Sequence, residues 1–184
     1  MRKTKRIAPY LTQDEIHRLF AVIESPRDRA IFRLTYHRGL RASELGMIQV
    51  GDYHGGRILI NRLKGSNGGE YVLVKAERQA IRGWLKVRGA EPGAMFPSRK
   101  HTPISRFQLH RLMRLYCAAA GIPREKAHMH ALKHACGTHL SEKEPDIAAV
   151  QDHLGHANIQ NTMIYVRIAN ARRNALAERL ADWR

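Results

Sequence analysis

Residues 48–74, IQVGDYHGGRILINRLKGSNGGEYVLV, decide the fold class of this 184-residue chain. IQVGDY, RILINRL and EYVLV are short and rich in β-branched or aromatic residues, and the breakers HGG and KGSNGG separate them. They read as three antiparallel strands joined by tight turns. On the N-terminal side the spacing becomes helical. Thr12 with Glu15 forms a capping box ahead of Ile16, Leu19, Phe20 and Ile23, giving a helix over about 12–24. A second helix carries Ile31, Phe32, Leu34 and Thr35 and should stop near Gly39, because glycine accepts the left-handed conformation that closes a helix. A short third helix, ASELGM, follows Arg41. On the C-terminal side, helical spacing covers 76–88 and resumes after a second capping box, Ser105 with Gln108. Further helices are expected over 130–140, 145–153, 159–166 and 170–182. The expected class is mainly α with a small three-stranded antiparallel β-sheet.

The chain has 32 Lys and Arg against 16 Asp and Glu, a formal charge of +16 with a pI near 10.6. Such an excess points to a polyanionic partner. Nucleic acid is favoured over a membrane surface, because neutralised phosphates release counterions and no apolar run of about 18 residues exists to span a bilayer. Cys117 and Cys136 are isolated, and no signal-peptide pattern follows Met1, so a reducing, cytoplasmic setting is expected. The first ten residues, MRKTKRIAPY, are basic and aperiodic and read as an arm or linker before a domain over 11–184.

The stretch HMHALKHACGTHL, residues 128–140, holds four histidines, a lysine and a cysteine. His130 and His134 are four apart and share a helical face, as two zinc ligands would. A metal site is disfavoured because Ala131 stands where zinc hydrolases place a carboxylate, and Lys133 would set a cation beside the ion. His128 and His139 read as hydrogen-bonded packing residues. His130 and Lys133, three apart, can aim their donors at a single phosphate. Downstream, QDHLGHANIQNTMIYVR adds His156 after Gly155, and Tyr165 nine residues later.

GLRASEL around Arg41, HALKHACGTHL, LGHANIQNTMIY and their order resemble the catalytic domain of the tyrosine recombinases, the phage-integrase family. The resemblance runs from the capped helix at Thr12 past Tyr165. It implies a site-specific recombinase that cleaves and rejoins double-stranded DNA through a 3′-phosphotyrosyl intermediate, with no metal, ATP or other cofactor. By that resemblance Arg41 grips the scissile phosphate, and its planar fork suits the task. Glu44 is an orienting or structural partner in the same box. Lys64, in the turn after the second strand, is the proton donor to the departing 5′ oxygen, with Arg62 close enough to keep the assignment open. His130 assists proton removal and contacts the phosphate, His156 donates to the transition-state oxygens, and Tyr165 is the nucleophile. Lys133 stands where the family has its second arginine, so a point charge replaces a bidentate clamp. His134 is assigned to packing or support.

Further contacts to DNA are expected from Arg62, from Arg99 and Lys100 in PSRKHTPISR, and from Arg106, His110 and Arg114 on the next helix, with a solvated charged face as the competing reading. The segment 168–184 carries Leu176, Leu180 and Trp183 at helical spacing and is expected to dock on a neighbouring protomer or on its own domain. The N-terminal domain usual in the family is expected to be absent. A protein monomeric when free and tetrameric on DNA is expected, acting in the cytoplasm on bacterial or phage DNA. The alternatives are a DNA-binding protein whose cleavage is lost through Lys133, and a metal-dependent nuclease.

Overall fold

A computed structural model describes residues 9–63 and 66–166. Element order is α1 (Gln13–Ala21), α2 (Pro26–Arg38), α3 (Ala42–Leu45), β1 (Tyr53–His54), β2 (Arg57–Ile60), β3 (Gly69–Val72), α4 (Lys75–Arg88), α5 (Arg106–Ala119), α6 (Met129–Lys143), α7 (Ile147–Leu154) and α8 (Gln160–Val166). Both expected capping boxes form. The Thr12 N–H donates to Glu15 Oε2 at 2.7 Å and the Ser105 N–H to Gln108 Oε1 at 2.9 Å. Gly39 ends α2 at φ 56°, ψ 42°, in the left-handed region that its missing Cβ opens. The helix expected over 170–182 lies outside the described residues.

The sheet has the expected antiparallel order β1-β2-β3, with Arg57 opposite Val72 and Ile60 opposite Gly69. Its first strand is much shorter than IQVGDY suggested. Val50–Asp52 form a turn of 3-10 helix, because the Asp52 carboxylate accepts the Gln49 N–H at 2.7 Å and pulls the backbone out of extension. Strand β2 turns Ile58 and Ile60 inward and leaves Arg57 and Leu59 exposed, the alternation of a sheet with one covered face.

Helix α2 is the central element and packs on α4 and α6. Ile31, Phe32 and Leu34 from α2 join Leu19, Ile58, Ile81, Met113 and Leu132 in the main core. Arg38, at the end of α2, donates through Nε to the Glu77 carboxylate of α4 at 2.8 Å. Both side chains are buried, so removing either partner would strand the other charge at a cost of about 3–5 kcal/mol. A second apolar cluster of Cys136, Val150, Leu154 and Tyr165 joins α6, α7 and α8. Among the described residues, no helix is long and apolar enough to cross a membrane.

Candidate active site

Arg41 begins α3 immediately after the Gly39 turn, and Glu44 one turn later holds it in place. The Glu44 carboxylate accepts the Arg41 backbone N–H at 2.8 Å and its Nη1 at 2.8 Å. Nη1 also donates to Ser66 Oγ at 2.7 Å, leaving the guanidinium partly open. Ser66 in turn bridges to His156 as an isolated antiparallel pair. The turn after β2 is thereby stitched to the segment after α7, a link reinforced by the Asn67 N–H donating to the Gly155 carbonyl at 2.9 Å.

His156 is buried, with Nδ1 3.0 Å from Thr162 Oγ1. Its ring stacks near the Tyr165 ring, centroids 6.3 Å apart and planes inclined by 16°. Tyr165 is 2% exposed and its hydroxyl lies 3.2 Å from His134 Nδ1. The His134 ring meets that of His130 edge to face at 4.9 Å. Arg41, Ser66, His156, Tyr165, His134 and His130 therefore form one connected path, although they come from four separate regions of the chain. Burial, then the nearby cations and imidazoles, lowers the pKa of His134 and His156 to about 4, and both rings are neutral at pH 7. His130 is also shifted down, by desolvation first and then by Lys133 and Arg41. The Tyr165 phenol is pushed up by burial and by Cys136, against a downward pull from Arg41. It is a protonated alcohol in this state and needs a proton acceptor before it can attack.

Lys133 is 3% exposed, and its ammonium donates to the Gly39 carbonyl at 2.5 Å. It touches the backbone two residues before Arg41. Desolvation, then the Arg62 charge, lowers its pKa to about 8. Lys64 lies outside the described residues. Arg62 departs from its expected DNA contact: its side chain has no exposed surface, and Nη2 donates to the Arg38 carbonyl at 2.9 Å. Its Nη groups are directed at backbone carbonyls inside the protein rather than at the surface. Arg99, Lys100, Arg106, His110 and Arg114 are all exposed, the first two in a turn and the others along α5. Burial first, then the nearby His110 charge, lowers the pKa of His128 at the start of α6. His128 caps that start, its Nδ1 accepting the Ala131 N–H at 3.1 Å. His139 is buried against Tyr36, whose hydroxyl lies 2.9 Å from its Nδ1.

Two functional positions escaped the sequence reading. Ser66 was part of a glycine-rich turn and carried no sign of its contact with Arg41. Gly137 did carry one, since a glycine inside a helix signals close approach. A Cβ on Gly137 would stand 2.5 Å from the Tyr165 Cε2 and Cζ atoms, so this glycine makes the space in which the phenol ring sits. Among the described residues, no group of three or more His, Cys, Asp or Glu could hold a metal ion.

Residues 9–172 match the model of the phage integrase family. The chain is 35% identical over 181 residues to the type 1 fimbriae regulatory protein FimE of Escherichia coli K12, covering 92% of this chain and 91% of that protein. It is 32% identical over 176 residues to the tyrosine recombinase XerC of Erythrobacter litoralis, covering 90% of this chain and 57% of XerC. The crystal structure of XerA recombinase superposes with a TM-score of 0.81 at 24% identity, covering 95% of this chain and 66% of that one.

Proposed function

The chain belongs to the phage integrase family, and we propose that it is a site-specific DNA recombinase in which Tyr165 is the nucleophile. The observation that carries this reading is the unbroken path from the Arg41 guanidinium through Ser66 and His156 to the Tyr165 phenol and the His134 and His130 imidazoles. The phenolic oxygen attacks phosphorus, the bond from phosphorus to the 5′ oxygen breaks, and a 3′-phosphotyrosyl ester forms. The phenolic proton leaves through the neutral His134 and His130 pair, and Lys64 supplies a proton to the departing 5′ oxygen. Arg41, Lys133 and His156 counter the charge that builds on the non-bridging oxygens. One ester replaces another, so rejoining is the same step in reverse and consumes no ATP.

Duplex DNA is the partner, supported by the +16 charge and by the exposed Arg106, His110 and Arg114 along α5. DNA-bound recombinases, among them XerH and lambda integrase, share the fold. Exchange between two duplexes requires cleavage of four strands, which a tetramer of one-site protomers provides. Tyr165 at 2% exposure cannot touch a phosphate where it stands. Strand attack therefore requires α8 to shift away from Gly137 when DNA is bound.

The test is covalent capture from a randomised pool of nicked duplexes, read on a denaturing gel. A protein-DNA adduct that survives EDTA and disappears in Tyr165→Phe supports the reading. DNA retardation without an adduct indicates a binding protein, and EDTA-sensitive cleavage a metal-dependent nuclease; either result overturns it.

A further inference from the structure

A buried arginine is costly unless its donors are occupied; both Nη groups of Arg62 bond to groups from both halves of the site, while its buried Nε has no hydrogen-bond partner among the described residues. Its Nη2 donates to the Arg38 carbonyl at 2.9 Å and the His153 carbonyl at 3.3 Å. Its Nη1 reaches the Gly39 carbonyl at 3.5 Å and lies 3.6 Å from Glu44 Oε2. Arg38 and Gly39 end α2 and lead directly to Arg41. His153 is in the last turn of α7 and leads through Gly155 to His156. Two helix C-termini, each with unsatisfied carbonyls and a negative dipole end, thus converge on one guanidinium.

The fit is also steric. A Cβ on Gly155 would lie 2.5 Å from Arg62 Cδ and Nε, so the stem of Arg62 rests directly on the backbone before His156. Glu44, which Arg62 approaches from one side, holds the Arg41 guanidinium on the other. A lysine could not reproduce this arrangement, because a single ammonium cannot span acceptors on two helices as a planar fork does.

We infer that Arg62 is a positioning residue, setting Arg41 and His156 at the separation from which they act together on one phosphate. The inference rests on the recombinase reading. Arg62 touches no substrate; it acts by fixing the ends of α2 and α7 relative to each other. Lys133 shares the Gly39 carbonyl with it, so three of the proposed phosphate-facing groups are tied to one buried junction.

The test uses full-length Arg62→Lys and Arg62→Met with a nicked duplex isolated by covalent capture with the unaltered protein. Adduct formation is measured at saturating DNA, Kd by fluorescence anisotropy, and folded fraction by circular dichroism. Per folded molecule, adduct formation is expected to fall about 100-fold, while Kd changes by less than about threefold. A second substrate carries a methylphosphonate at the scissile position, which removes the anionic charge that Arg41 and His156 must counter together. With it the deficit is expected to shrink below about fivefold, whereas a purely structural defect would persist unchanged. Unaltered rates per folded molecule, or an equal deficit on both substrates, would overturn the inference. Failure of the unaltered protein to form any adduct at Tyr165 would instead overturn the recombinase reading.

Discussion

Replacing Lys133 with methionine is expected to stabilise the protein while stopping DNA cleavage. The ammonium is 3% exposed, and its pKa falls from the ordinary 10.5 to about 8, chiefly through desolvation. At 1.36 kcal/mol per pH unit, the charged form costs the folded state about 3 kcal/mol. Methionine fills similar space without charge and forfeits one hydrogen bond to the Gly39 carbonyl, worth about 1 kcal/mol. The net gain is about 2 kcal/mol, a rise of about 4–8 °C in Tm for a chain of this size. The pH dependence identifies the cause. Below pH 8 the lysine is protonated in both the folded and unfolded chain, so the penalty is full. Between pH 8 and 10.5 the folded state releases its proton first, the unfolded state holds more protons, and stability of the unaltered protein rises with pH. The stability gap to Lys133→Met, measured by thermal or urea unfolding at fixed ionic strength, should therefore narrow across that window. Equal stability at pH 7, or a gap that stays constant to pH 10.5, would refute the reasoning.

Gly137→Ala should lower stability by about 1–3 kcal/mol in urea unfolding, because its Cβ collides with the Tyr165 ring. The loss should be smaller in a Tyr165→Ala background, where the ring is gone. Glu44→Gln removes the charge that holds Arg41 and should slow single-turnover adduct formation by about 10–100-fold. Lys133→Arg restores the bidentate fork and should speed cleavage; an unchanged or lower rate on a saturating nicked duplex would count against the fork being what the site lacks. DNA affinity should fall steeply between about 50 and 200 mM salt, with a slope in anisotropy titrations that reports the number of phosphates met.

Local rules were legible and depth was not. Thr12 with Glu15, Ser105 with Gln108 and Gly39 marked helix ends correctly, because caps involve partners three or four residues apart. The β1 strand was overextended because β propensity in IQVGDY gave no hint that Asp52 would bond back to Gln49. Spacing placed His130 and His134 on one face, and the resemblance gave proton removal to His130 and packing or support to His134, whereas the imidazole 3.2 Å from the Tyr165 hydroxyl is that of His134. Charge and resemblance marked Arg62 and Lys133 as cations for DNA but gave no sign that each also bonds a carbonyl ending α2. Those acceptors are 24 and 94 residues away in the chain, and no local pattern announces them. The motifs surrounding Arg41 and Tyr165 remained informative because each carries its family resemblance over several consecutive residues.

The most direct measurement is mass spectrometry of the trapped complex after exhaustive nuclease and protease digestion. The account predicts a nucleotide 3′-phosphate esterified to Tyr165, on the peptide containing NTMIY, with a free 5′ hydroxyl on the released strand. A nucleotide on any other side chain, or a 5′ phosphate on that strand, would contradict it.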